Sequence, residues 1–408
     1  MDKNKRLTVW LPVIIAASIA LGIFIGNHYL SISQGKKRSY SSGNKINAIL
    51  DIIDEQYVDT VSMSKLVEST IPKIFSELDP HSVYIPAEDA SVVNEELEGS
   101  FSGIGVSFNM QTDTILVISV ISGGPAEKAG LLPFDRIISI NDSIFSGKKK
   151  NQGEIMKTLR GAKNSTVKLG VQRGNSPELL YFDVTRGDVP VNSVDVSYEA
   201  AKGIGYIKVS KFARNTYNEF ITAIAKLKQA GCTSFVIDLR GNTGGYMDAA
   251  INMINEFMPE GRLIVYTEGK SFPRSDVYAN GTGTCKDAPI VVLTDEISAS
   301  ASEIFSGAIQ DNDRGTIIGR RTYGKGLVQT QMSLSDGSEM RLTIARYYTP
   351  SGRCIQKKYE MGNTDAYDQD IYNRYMHGEF DSADSIKMDD SLKYQTVGGR
   401  TVYGGGGI

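Results

Sequence analysis

Two apolar runs, each leading through a turn rich in small residues into an amphipathic segment, constrain the fold more than anything else in this chain. SFVIDL passes through RGNTGG into YMDAAINMINEFM, where the apolar residues at 247, 250, 251, 254, 257 and 258 mark one face of a helix. PIVVLTD then passes through a serine cluster into SEIFSGAIQD. Successive strand–turn–helix units imply α/β layering, with loops gathered at one sheet edge where sites tend to form. Farther on, LVQTQMSLS and EMRLTIARYY flank DGS, the pattern of a β-hairpin. Residues 187–360 form this unit.

The 408 residues exceed one domain of about 100–200, so further units are expected. At the N-terminus, Lys3, Lys5 and Arg6 precede an uncharged stretch from Leu7 to Gly26. A helix of that length spans about 30 Å, so residues 7–26 are expected to enter the membrane with the basic flank on the cytoplasmic side. The competing reading for residues 1–30 is a cleaved signal peptide, with Ser18 and Ala20 as the small residues before the cut. Both readings export the remainder, to the cell envelope or beyond.

Residues 31–43 read as a polar linker and 44–97 as a small helical unit, interrupted at LDPHSVYIP by Asp79, Pro80 and Pro86. His81 is expected to stabilise that turn. Residues 98–186 change to short β-rich runs, GIGVSFNM, TILVISVI, DRIISIND and STVKLGVQR, a compact mixed domain. Residues 361–408 close the chain at VYGGGGI, where a shortened final element is expected. The fold class is therefore α/β multidomain.

A net charge of -3 gives no electrostatic reason to expect nucleic acid, and Lys148, Lys149 and Lys150 read as a solvated loop. Cys232, Cys285 and Cys354 make no CxxC pair, and a Cys285–Cys354 bridge stays open. There is no HExxH, and His28, His81 and His377 are too scattered for a metal site, so no cofactor is expected. GRRTYGK, from Gly319 to Lys325, begins like a phosphate-binding loop. Gly326 then stands where a Ser or Thr should bind magnesium.

Ser298, Ser300 and Ser302 occupy the turn before SEIFSGAIQD. Ser300 and Glu303 match a capping box, which alone would explain both residues. The start of a helix also offers amides and a dipole that can hold an oxyanion. A nucleophilic serine needs a base, and no histidine lies in the α/β unit. Lys325, between Gly324 and Gly326, can serve if burial lowers its pKa from the ordinary value of about 10.4.

GIGV (Gly103, Ile104, Gly105, Val106), followed by GGPAEKAGLLPFDRIISIND, resembles a PDZ domain. The resemblance implies that the loop amides hold a peptide's terminal carboxylate while the peptide adds a strand to the sheet. The ordered segments LDPHSVYIP, FSGIGV, DLRGNTGG, SASASEIFSGAIQD, TYGKGLVQ and YYTPSGRCIQ resemble the carboxy-terminal processing peptidases. These are PDZ-containing serine peptidases of bacterial envelopes and chloroplasts. The family pattern implies a crotonase/ClpP-like core and a Ser-Lys dyad, with Ser300 as nucleophile, Lys325 as base and Gln329 orienting the lysine. It also implies an oxyanion hole from the amide of Ala301 and one from the Gly244–Gly245 turn, the choice of glycine left open. Asp311 falls at a position implicated in some members, and Ser298 and Ser302 shape the turn. Expected partners are proteins or peptides with free apolar C-termini, and a homo-oligomer is compatible with this. The alternative is an inactive membrane-tethered PDZ scaffold, against which the intact Ser300, Lys325 and Gln329 argue.

Overall fold

The computed structural model describes residues 16–23, 42–111, 114–144 and 152–408. Residues 16–23 are helical. The rest of the 7–26 stretch, His28 and the Lys148–Lys150 run lie outside the described residues. Among the described residues, no helix is long and apolar enough to cross a membrane. The chain divides into residues 1–70 and 71–408. In the first unit, helix Ser42–Gln56 leaves Ile46, Ile49 and Ile52 exposed.

In the second unit, an antiparallel sheet runs Val106–Gln111, Thr114–Val120, Arg136–Ile140, Thr166–Gln172, Leu180–Thr185, with Ser143–Ile144 beside Arg136–Ile140. Alternation along Thr166–Gln172 sends Val167, Leu169 and Val171 inward, where they meet Ile155 and Leu159 of helix Gln152–Leu159. Among the described residues, Val106–Gln111 is an edge strand, paired only with Thr114–Val120. The pair Ser100–Gly103 and Gly187–Pro190 brings both ends of this domain together.

A second sheet has the order Val194–Ala201, Ile204–Val209, Ser234–Asp238, Ile290–Thr294, Thr316–Gly319. Its last four strands are parallel, as the strand–turn–helix pattern requires. Helices Thr216–Gln229, Met247–Asn255 and Ala301–Asp311 connect them. Phe257 lies at the centre of the core, its ring meeting Phe220, Phe235 and Phe305 at centroid distances of 6.2, 6.2 and 6.5 Å.

A third sheet contains the hairpin expected around DGS: Leu327–Ser333 pairs with Glu339–Tyr348, and Ser333 faces Glu339. LDPHSVYIP does more than break a helix, because Val83–Ile85 pairs antiparallel with Glu339–Arg341 and joins this core sheet. Three residues are too few to show a strand period. The turn before it is fixed by Asp79, whose Oδ1 accepts the N–H groups of His81 (3.0 Å) and Ser82 (3.1 Å) and the Thr343 hydroxyl (3.0 Å). All three cysteines are free.

Candidate active site

Ser300 stands where strand Ile290–Thr294 turns into helix Ala301–Asp311, with φ at 56°. That left-handed conformation is unfavourable for a residue with a Cβ and persists only where surroundings enforce it. Its neighbours do so. The Ser298 hydroxyl donates to Leu239 O (2.8 Å), the Ser302 hydroxyl to Asn242 O (2.9 Å) and the Ala299 N–H to Asn242 O (3.0 Å). Ser298 and Ser302 are fully buried. Two of the three hydroxyls therefore tie this turn to the Leu239–Asn242 segment, while half-buried Ser300 forms the capping box with Glu303 at the helix start.

Lys325 reaches the same place from the loop after strand Thr316–Gly319. The buried Glu303 carboxylate connects the two: it accepts the N–H of Ser300 (2.8 Å), Lys325 (2.8 Å) and Gly324 (2.7 Å), and the Thr322 hydroxyl (2.6 Å). Burial pushes the Glu303 carboxyl up, and these four donors oppose that shift. All four partners donate, which is the arrangement an ionised carboxylate requires. From the other side, the buried Tyr347 hydroxyl lies between the carbonyls of Ser300 (3.0 Å) and Lys325.

The Lys325 ammonium nitrogen Nζ donates to Gln329 Oε1 at 3.1 Å. Gln329 Nε2 donates in turn to the carbonyl of His81, which leaves Oε1 facing the lysine. His81 contributes its backbone here, while its ring contacts the Tyr367 hydroxyl at 2.7 Å. Burial lowers the Lys325 pKa from its ordinary value, and the Arg341 charge adds to that, against Glu303 and Asp79. Burial also lowers His81, to about 4, with Lys325 contributing.

Opposite Ser300 lies the Gly244–Gly245 turn. Gly244, at φ 102°, packs so closely that an added Cβ would sit 2.7 Å from both Ser300 Cβ and Ala299 O. The Gly244 N–H is already given to Asn242 Oδ1 at 2.8 Å, and Asn242 Nδ2 donates to Val209 O at 3.0 Å. Among the described residues, the N–H groups of Gly245 and Ala301 have no acceptor. Asp311 is not brought to this place. It sits at the far end of the helix that Ser300 begins, about 15 Å along the axis. There it is fully buried and paired with Arg353 (2.9 Å), and it accepts from Ser351 (2.6 Å).

A family model for peptidase family S41 matches residues 203–365, and one for the PDZ domain matches residues 102–195. The carboxy-terminal processing protease CtpB of Bacillus subtilis is 35% identical over 318 residues, covering 77% of this chain and 66% of that protein. A CtpA-like serine protease of Staphylococcus aureus is 33% identical over 365 residues, covering 88% of this chain and 72% of that one. The chain belongs to peptidase family S41. Among solved structures, the photosystem II D1 C-terminal processing protease aligns over 78% of this chain and 90% of its own, at 27% identity and a TM-score of 0.42.

In this S41 chain, the PDZ loop is organised by its carbonyls. Ile104 O accepts the Ala126 N–H (2.7 Å) and Gly105 O accepts the Ile121 N–H (3.0 Å). Among the described residues, the Ile104 and Gly105 N–H groups have no acceptor, and Val106 opens the edge strand. Gly103 belongs to the strand before the loop and pairs with Gly187. Sequence reasoning gave Glu303 only its capping role and did not single out Asn242, Tyr347 or Arg341. The capping box was the one available signal for Glu303. The others depend on which strands become neighbours.

Proposed function

We propose that this S41 chain is a serine endopeptidase that captures protein tails through its PDZ domain and cleaves them with a Ser300–Lys325 dyad. The observation that carries this reading is the placement of Lys325: its amine is burial-shifted toward the neutral form and oriented by Gln329, and its backbone shares the Glu303 carboxylate with Ser300. In the proposed reaction, neutral Lys325 takes the Ser300 hydroxyl proton as the serine attacks the scissile carbonyl. The N–H groups of Ala301 and Gly245 hold the resulting oxyanion, Gly244 being engaged with Asn242. The lysine then returns the proton to the leaving amine, and water hydrolyses the acyl-serine by the same transfers in reverse order. Four parallel strands with crossover helices are consistent with a crotonase-like core.

Substrate capture rests on the unpaired Ile104 and Gly105 amides beside a free edge strand, a geometry that can hold a carboxylate and pair with an extended apolar tail. Action in the cell envelope rests on the sequence alone, on the uncharged stretch from Leu7 to Gly26 behind a basic flank. Digestion of a protein with an apolar C-terminus by the wild type and by Ser300→Ala, read by mass spectrometry with a chelator present, tests the proposal. Cleavage is expected from the wild type alone; comparable proteolysis by folded Ser300→Ala would remove the nucleophile.

A further inference from the structure

Gln329 is not the only polar residue on its face of the hairpin. The register sets Gln329 opposite Thr343 and Gln331 opposite Arg341, and alternate residues of a strand share a face. Gln329, Gln331, Arg341 and Thr343 thus form one polar group, with Arg341 diagonal to the residue that orients Lys325. Arg341 is half-buried and donates to Gln331 Oε1 at 3.0 Å. Among the described residues, no carboxylate forms an ion pair with it.

The nearest candidate on its own strand is Glu339, two residues away on the same face. That carboxylate is buried and occupied: Asn94 Nδ2 donates to it at 3.1 and 3.2 Å, the Ser333 hydroxyl at 3.2 Å, and Gln331 Nε2 as well. Gln331 therefore gives its amide to Glu339 and its carbonyl to Arg341. It stands between the two charges.

We propose that Arg341 is a positioning residue for proton transfer: its charge, kept from Glu339 by Gln331, acts through space on Lys325 and holds that amine in its proton-accepting form. The inference rests on the Ser300–Lys325 reading. Glu303 faces Lys325 from the helix, Asp79 and His81 from the turn before Val83, and Arg341 from the strand. The two carboxylates favour the ammonium, and His81 is uncharged at neutral pH. Burial is the chief cause of the lowered Lys325 pKa, and Arg341 is the cation that adds to it against the carboxylates.

The test reads the lysine without catalysis. In a Ser300→Ala background, Lys325 is acylated with a water-soluble succinimidyl ester across a pH series, mapped by peptide mass spectrometry and normalised to each variant's plateau at high pH. Only the neutral amine reacts. Arg341→Met is expected to move the labelling midpoint to higher pH, so that below it Lys325 labels about three- to tenfold more slowly. Gln331→Leu, which frees Glu339 to pair with Arg341, should shift it in the same direction, and Arg341→Lys should retain the parent midpoint. With Ser300 restored, the pH dependence of kcat/KM should move with the labelling curve. An unmoved midpoint in Arg341→Met would overturn this inference and leave the dyad standing. Undiminished cleavage by Lys325→Ala would instead overturn the dyad, whatever the labelling shows.

Discussion

Oε2 of Glu303 accepts the backbone N–H of Lys325 at 2.8 Å, and the same oxygen accepts that of Ser300 at 2.8 Å. One buried carboxylate therefore holds together two chain segments distant in sequence, beside the Tyr323 N–H that donates to Ser298 O at 2.9 Å. Glu303→Gln keeps the shape but turns an amide NH2 toward donors. It should cost about 1–3 kcal/mol of stability, read by denaturant unfolding. Under conditions where the variant is still folded, kcat/KM should fall as well. A variant as stable and active as the wild type would reduce Glu303 to an ordinary cap.

Gly244 tests the turn on the other side of Ser300. Gly244→Ala adds a Cβ 2.7 Å from Ser300 Cβ and Ala299 O at a backbone φ of 102°, so both strain and collision are expected. The control is Gly241→Ala, at φ 73° with nothing within 4 Å of the new carbon. The control should lose about 1–2 kcal/mol from backbone strain and remain active. Gly244→Ala should lose more stability, and its folded fraction should be nearly inactive. Equal behaviour of the two variants in thermal melts and peptide cleavage would contradict the close packing.

The strand–turn–helix units were legible because each is local: SFVIDL and PIVVLTD became parallel neighbours, and their turns meet at Ser300. The hairpin around DGS was legible for the same reason. What the residues alone could not supply is register between distant segments. Val83–Ile85 pairs with Glu339–Arg341 across more than half the chain, and that pairing puts the His81 carbonyl on Gln329. Asn242 was hidden differently. An asparagine between Gly241 and Thr243 reads as a turn former, and its claim on the Gly244 amide becomes visible only when Val209 is seen beside it.

His81 makes stability depend on pH. Its pKa falls from 6.5 to about 4 on folding, so between those values the unfolded chain binds more protons than the folded one. Stability should therefore decline as pH falls through this window. The Tm of the wild type, followed from pH 7 to 4, should drop more steeply than that of His81→Gln, in which the titrating ring is absent. Parallel curves would mean that His81 titrates alike in both states.

The proposed capture of protein tails requires a free carboxylate. A peptide with apolar last residues should bind the whole protein through its terminal carboxylate, and amidating that terminus replaces a charged acceptor with a neutral one. A loss of about 1.5–3 kcal/mol is expected, roughly tenfold or more in Kd by calorimetry with Ser300→Ala protein. Indistinguishable affinities for the two peptides would exclude terminal capture by Ile104 and Gly105.

Lys325 can accept the Ser300 proton only after losing its own, so activity should rise with pH as the ammonium ionises. Burial, reinforced by Arg341, moves that ionisation below the ordinary lysine value of 10.5. The expected profile of kcat/KM is a single rise with pH, its midpoint under 10.5. Lys325→Arg retains the charge but stays protonated, because guanidinium does not lose its proton in this range. Its kcat/KM should fall by about 10²–10⁴ at every pH tested, the contribution general for a positioned acid–base group. Lys325→His should keep a trace of activity with its rise displaced to lower pH, following the lower pKa of imidazole. A flat wild-type profile with chemistry rate-limiting, or near-normal turnover by the arginine variant, would show that the proton goes elsewhere.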